Sequence, residues 1–184
     1  MNIALIGPQG SGKSTLVFSL SSFFRKKGFK TGCANFDLNA KKLKFNAFFD
    51  ARKMEKSQDK LLLNFWMVKK KFNDDCKDFD FVFIDLGASL DTLITTNFSD
   101  IADVFLFIST EFNGPAELNT IKKIISSIIG GKPVIVIKSK SDLKKKTTLI
   151  TAGNYGKNEF LEVCGVDRMG FEEIYKAVEN LREH

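Results

Sequence analysis

Eight residues near the start of the chain, Gly7-Pro8-Gln9-Gly10-Ser11-Gly12-Lys13-Ser14, have the types and spacing of a phosphate cradle. The pattern Gly-x-x-x-x-Gly-Lys-Ser carries weight only between a strand and a helix. Here Asn2 to Ile6 reads as the strand and Ser14 to Lys27 as the helix. Gly7, Gly10 and Gly12 free the backbone to turn successive N–H groups inward on phosphate oxygens. The positive end of the following helix favours the same anion. Lys13 is placed to reach the β- and γ-phosphates of a nucleoside triphosphate. Ser14 is placed to ligate Mg²⁺, and Thr15 to touch the α-phosphate.

Two acids are expected to face that loop. Asp85 ends the apolar run Phe81-Val82-Phe83-Ile84, the place where a strand-end carboxylate holds Mg²⁺, usually through a water. Gly87 follows and leaves the backbone free to approach the γ-phosphate. Asp37 ends a second strand, in Asn35-Phe36-Asp37, and in a parallel sheet both strand ends look onto the ligand crevice. Lys13 and Asp37 are the candidate catalytic residues. Asp37 would orient or activate the attacking water, or join Ser14 and Asp85 around the metal. Farther on, Ser139-Lys140-Ser141-Asp142 looks like the Asn/Thr-Lys-x-Asp base-recognition motif of GTPases, with Ser139 in place of Asn. A carboxylate such as Asp142 can accept both N1–H and the 2-amino group of guanine, a donor pair that adenine lacks. Cys164 and Gly165 fall where a backbone group would meet the guanine oxygen.

Short β-type runs alternate with helical segments along the chain, which predicts an α/β fold: a three-layer sandwich around a mainly parallel sheet. Strands are expected at 2–6, 31–36, 79–84, 104–108, 134–138 and 160–163. Helices are expected at 14–27, 58–72, 116–129 and 171–182. The Lys-rich stretch 39–56 takes no assignment. All 184 residues fit one domain. The 19 Phe sit in apolar runs and read as core filling. Net charge is +6, from Lys scattered along the chain, which suits a solvated surface and leaves room for weak attraction to nucleic acid or an acidic partner. Cys33, Cys76 and Cys164 have no Cys-x-x-Cys spacing, so neither a disulfide framework nor a zinc site is expected, and a reducing cytoplasmic setting is. The only histidine, His184, is terminal, which argues against His-based catalysis. No signal peptide or membrane span is expected.

With these residues in hand, the chain resembles the SIMIBI class of P-loop nucleoside triphosphatases, and within it the GPN-loop GTPases. The run Gly7 to Thr15 is similar to their P-loop, Asn35-Phe36-Asp37 to their Asn-x-Asp, and Lys140-x-Asp142 and the 164–173 segment follow in the expected order. The family's Gly-Pro-Asn insertion is missing; Asn113-Gly114-Pro115 is a different order in a different place. The run Asp85-Leu86-Gly87-Ala88 is similar instead to MinD-like regulators, whereas the early P-loop Lys of MinD/ParA proteins is replaced by Pro8-Gln9. The resemblance implies a Mg²⁺-dependent GTP-binding and GTP-hydrolysing switch or assembly protein, with GDP as product and a homodimer or protein partner. With no Arg near the P-loop, turnover is expected to be slow, and any stabilising cation is expected from Lys41, Lys42 or Lys44 or from a second subunit. A MinD/ParA-like ATPase is the alternative. A P-loop small-molecule kinase fits less well, because 141–158 holds Lys but no lid Arg.

Overall fold

A computed structural model describes residues 1–87, 100–109, 123, 130–139, 161–163 and 170–182. Among the described residues, seven parallel strands form one sheet: β1 (Asn2–Ile6), β2 (Thr31–Asn35), β3 (Phe49–Asp50), β4 (Phe81–Asp85), β5 (Val104–Ser109), β6 (Val134–Ser139) and β7 (Leu161–Val163). Their spatial order is β3-β2-β4-β1-β5-β6-β7. Every pairing is parallel, so the sheet is wholly rather than mainly parallel among the described residues.

Strand periodicity of two decides which core each side chain joins. Ile3, Leu5, Phe81, Phe83, Val104, Leu106 and Ile108 point to one face. There they meet α1 (Lys13–Lys26) through Leu16, Val17, Leu20 and Phe24, and the last helix through Phe171, Ile174 and Val178. Ala4, Ile6, Val82, Ile84, Phe105 and Phe107 point the other way, onto Leu61 of α2 (Gln58–Leu63) and Val68 and Phe72 of α3 (Phe65–Asp75). The last helix is α4 (Phe171–Arg182). Covering both faces is what a parallel sheet requires. Phenylalanine fills both layers: Phe24 meets Phe81 and Phe83 edge-on at 4.9 and 5.1 Å, and Phe36 stacks on Phe49 at 5.1 Å.

Three expectations change. The helix expected over 58–72 is two helices, because Asn64 leaves helical geometry (φ −101°, ψ 12°) and spends its side chain on Glu55 at 2.6 Å. The unassigned 39–56 stretch contains β3 and a 3₁₀ turn, Ala51–Lys53. Strand β4 runs from Phe81 through Asp85, so the acid is the last residue of the ladder, paired in register with Leu5 and Asn35. The helix expected over 116–129 lies outside the described residues, apart from Lys123.

Candidate nucleotide site

The loop between β1 and α1 is built by steric necessity. Gly7 has φ 146°, and a Cβ there would lie 2.0 Å from the carbonyl oxygen of Ile108, because the loop leaves β1 hard against β5. Gly12 (φ 99°) precedes α1 with no side-chain cap, and the first turn of α1 has no acidic residue. The helix therefore presents its positive end uncompensated to whatever anion the loop holds. Ser139 braces the loop from behind: buried at the end of β6, it donates its hydroxyl to the Ser11 carbonyl at 2.5 Å. Ser11 Oγ is itself buried without a hydrogen-bond partner.

Lys13 is 7% exposed, and its ammonium donates to the carbonyls of Gly7 (2.8 Å) and Pro8 (2.9 Å). Beside it, Ser14 Oγ donates to Asp85 Oδ2 at 2.5 Å. Asp85 is 1% exposed, and its other oxygen accepts from the Gly87 amide at 3.3 Å. These groups meet in a cleft of about 340 Å³ lined by Gln9, Gly10, Gly12, Lys13, Ser14, Thr15, Asp37, Lys44 and Asp85. Burial pulls the Lys13 ammonium below its ordinary pKa, against the opposing pull of Asp85 and Asp37. Burial likewise pushes the Asp85 carboxyl up, against the Ser14 and Gly87 hydrogen bonds and the charge of Lys13. Both shifts have one cause, charge held away from water. Phosphate oxygens against Lys13, and a hard divalent cation against Ser14 and Asp85, would each restore what burial removes. The two oxygens are the donor chemistry that Mg²⁺ takes.

Asp37 enters the cleft from the end of β2, on a tight turn. Asn35, wholly buried, accepts from the Asp37 amide and donates to the Asp37 carbonyl, both at 3.2 Å. The same amide nitrogen of Asn35 donates to Asp50 at 2.9 Å. Asp50 is gripped by Arg52 through Nε at 2.9 Å and Nη2 at 2.6 Å, and Arg52 Nη1 reaches over to donate to the Ala40 carbonyl. Beside Asp37, Gly87 (φ 79°) lies so close that a Cβ would sit 3.0 Å from the Asp37 carboxyl carbon. Lys44 closes the open side, donating to Thr15 Oγ1 at 2.8 Å.

The cleft thus brings together Lys13, Ser14, Thr15, Asp37 and Asp85. Ser139 lies at the back of the loop instead of in the cleft. Lys140, Asp142, Cys164 and Gly165, like Asn113-Gly114-Pro115, lie outside the described residues. Sequence reasoning missed Asp50 and Arg52, whose partners are set by the pairing of β3 with β2 and not by any local pattern. Arg52 stays outside the cleft lining, yet close enough for the charge of Asp37 to act on it.

This fold, with this loop at the carboxyl ends of its central strands, is shared with solved P-loop nucleotide-binding proteins. Solved structures with the same fold include a GTPase in its apo form from Pyrococcus abyssi, 18% identical, with a TM-score of 0.79 over 100% of this chain and 97% of that one. A plasmid partition protein from Borrelia burgdorferi is 15% identical, with a TM-score of 0.56 over 99% and 98% of the two chains. The septum site-determining protein MinD of Pyrococcus horikoshii, complexed with Mg-ADP, is 16% identical, with a TM-score of 0.51 over 79% and 73%. The family described as a conserved hypothetical ATP binding protein matches residues 5–61, from β1 through the Asp37 turn and into α2. No curated protein matches the sequence. Among the described residues, no helix is long and apolar enough to cross a membrane.

Proposed function

We propose that the chain binds GTP with Mg²⁺ and hydrolyses it slowly, as a conformational switch or assembly clock. The observation that carries this reading is the grouping of Lys13, Ser14, Asp37 and Asp85 in one cleft at the N-terminus of α1. On binding, the Lys13 ammonium exchanges the Gly7 and Pro8 carbonyls for β- and γ-phosphate oxygens. Ser14 and Asp85 hold Mg²⁺, which supplies neutralisation of phosphate charge when present. Asp37 accepts a hydrogen bond from the attacking water and aims it. No Arg is among the residues described as lining the cleft, so in this proposal Lys13 and Lys44, or a second subunit, carry the transition-state charge, and turnover is slow.

Guanine is supported by the Lys140-x-Asp142 pattern and by the whole-chain likeness to the Pyrococcus abyssi GTPase. Adenine is the second reading, supported by the description of the family matched at 5–61 and by the Mg-ADP complex of the MinD protein. A titration with GTP and ATP, each with Mg²⁺, separates them, with phosphate release followed in parallel. The proposal requires tighter GTP binding and measurable release. Equal or tighter binding of ATP would refute the guanine assignment. A homodimer forming across the nucleotide face is part of the same proposal. Light scattering with and without a non-hydrolysable GTP analogue tests it, and an unchanged monomer in both would refute it.

A further inference from the structure

From the closed ring of hydrogen bonds around the Asp37 turn, we infer that Arg52, acting through Asp50 and Asn35, is the positioning residue that aims Asp37 into the cleft. The inference rests on the proposed role of Asp37 in turnover. The ring's hydrogen bonds join Asn35, Asp37, Ala40, Asp50 and Arg52, outside the phosphate loop. Asn35 fixes the Asp37 backbone at both its amide and its carbonyl. The turn then folds back, with the Asn39 amide on Asp37 Oδ1 at 2.9 Å and the Ala40 amide on the Asp37 carbonyl at 3.3 Å. Asp37 Oδ1 therefore accepts from its own turn while the residue lines the cleft.

What keeps this turn seated is Arg52. Its guanidinium has a fork of donors, two of which grip Asp50 while a third holds the Ala40 carbonyl. Asp50 has a side chain only 6% exposed and shares itself between Arg52 and Asn35. Burial alone would raise the Asp50 carboxyl; the Arg52 and Asn35 bonds outweigh it and hold the group below the ordinary carboxylate range. The link is thus charged on both sides and bidentate, a geometry that Lys cannot reproduce. Gly87 bounds Asp37 from the other side, so the carboxylate sits between a fixed wall and a tethered turn. A shift of the order of 1 Å in a group that aims a nucleophile costs turnover by up to about a hundredfold.

The test combines Arg52→Lys, Asp37→Ala and the double variant. Because Arg52 loss strands a buried carboxylate, the uncharged pair Asp50→Asn with Arg52→Gln is made as well. Each protein is measured for nucleotide affinity, for kcat, and for amide hydrogen exchange over residues 36–41. The expected result is roughly a tenfold fall in kcat for Arg52→Lys and for the uncharged pair, with affinity changed less than twofold and exchange in 36–41 accelerated. Adding Arg52→Lys to Asp37→Ala should cost nothing further, since Arg52 acts through Asp37. Unchanged exchange over 36–41 would overturn the positioning role, as would an equal loss on the Asp37→Ala background. Faster exchange with Asp37→Ala at wild-type turnover would leave the tether standing and refute the catalytic role of Asp37, and with it the function assigned to the tether.

Discussion

Replacing Gly7 with Ala tests the phosphate loop through sterics alone, whatever nucleotide it holds. The added Cβ would stand 2.0 Å from the Ile108 carbonyl oxygen, where real Cβ contacts essentially never fall under 3.0 Å. Loop and strand β5 must therefore part by about 1 Å. That takes a ladder bond of ~2.9 Å to ~3.9 Å, out of hydrogen-bond range. One or two such bonds lost at the β1–β5 seam cost about 1 kcal/mol each. Forcing alanine to a φ of 146° costs about 1–3 kcal/mol more. The sum, about 2–5 kcal/mol, is a large part of the ~5–15 kcal/mol that holds a domain folded. At roughly 2–4 °C per kcal/mol for a chain of this size, Tm should fall by about 4–20 °C. Gly10→Ala is the control, because a Cβ there meets nothing within 4 Å. It should cost only the left-handed backbone penalty, about 1–2 kcal/mol. Thermal and urea unfolding of the nucleotide-free proteins measures both. A Gly7→Ala protein melting within about 2 °C of wild type, or no lower than Gly10→Ala, would refute the close-approach account.

Asp85→Asn should stabilise the nucleotide-free protein while weakening Mg²⁺-dependent nucleotide binding. The folded Asp85 pKa is raised, so the folded state holds its proton longer and wild-type stability falls as pH rises from the ordinary carboxylate value through the raised one. Melting curves at several pH values should show the variant ahead at pH 8, with the gap closing as the pH drops below that window. Lys44→Ala should raise the nucleotide Kd about three- to tenfold, less at high salt, since an exposed cation over phosphate is worth about 1 kcal/mol and is screened. Calorimetry at two ionic strengths checks it. Asp142→Asn should trade guanine for xanthine preference, read by competition between the two nucleotides; unchanged preference would remove Asp142 from base recognition.

Much of this architecture is legible without coordinates because its signals are local. The strand, glycine loop and helix over the first 27 residues follow from spacing alone, as do the apolar runs that become β4, β5 and β6. Phenylalanine at alternate strand positions announces two buried faces, and both cores contain it. What escapes depends on distant partners. Strand β3 is two residues long and exists because Ala34 and Asn35 pair with Phe49 and Asp50, too short for any periodicity to show. The break at Asn64 is set by Glu55, nine residues upstream, in a stretch whose apolar pattern continues across it. Asn35 reads as one half of an Asn-x-Asp motif and its bonds to the Asp37 backbone are local, but its bond to Asp50 follows only from the β2–β3 register. Lys44 meets Thr15 because the chain between β2 and β3 folds back over α1, and no spacing encodes that return.

The two halves of the cleft are rooted at different depths of the sheet. The phosphate loop grows from β1, flanked on both sides by full-length neighbours. The Asp37 tether leans on β3, a strand of two residues that is outermost, with a single neighbour, among the described residues. Local opening begins at such edges and reaches the centre last. The grip on a nucleotide and the aim of the acid therefore have separate thermal lifetimes. Mild heating or a little denaturant should leave a chain that still holds its nucleotide but has stopped consuming it.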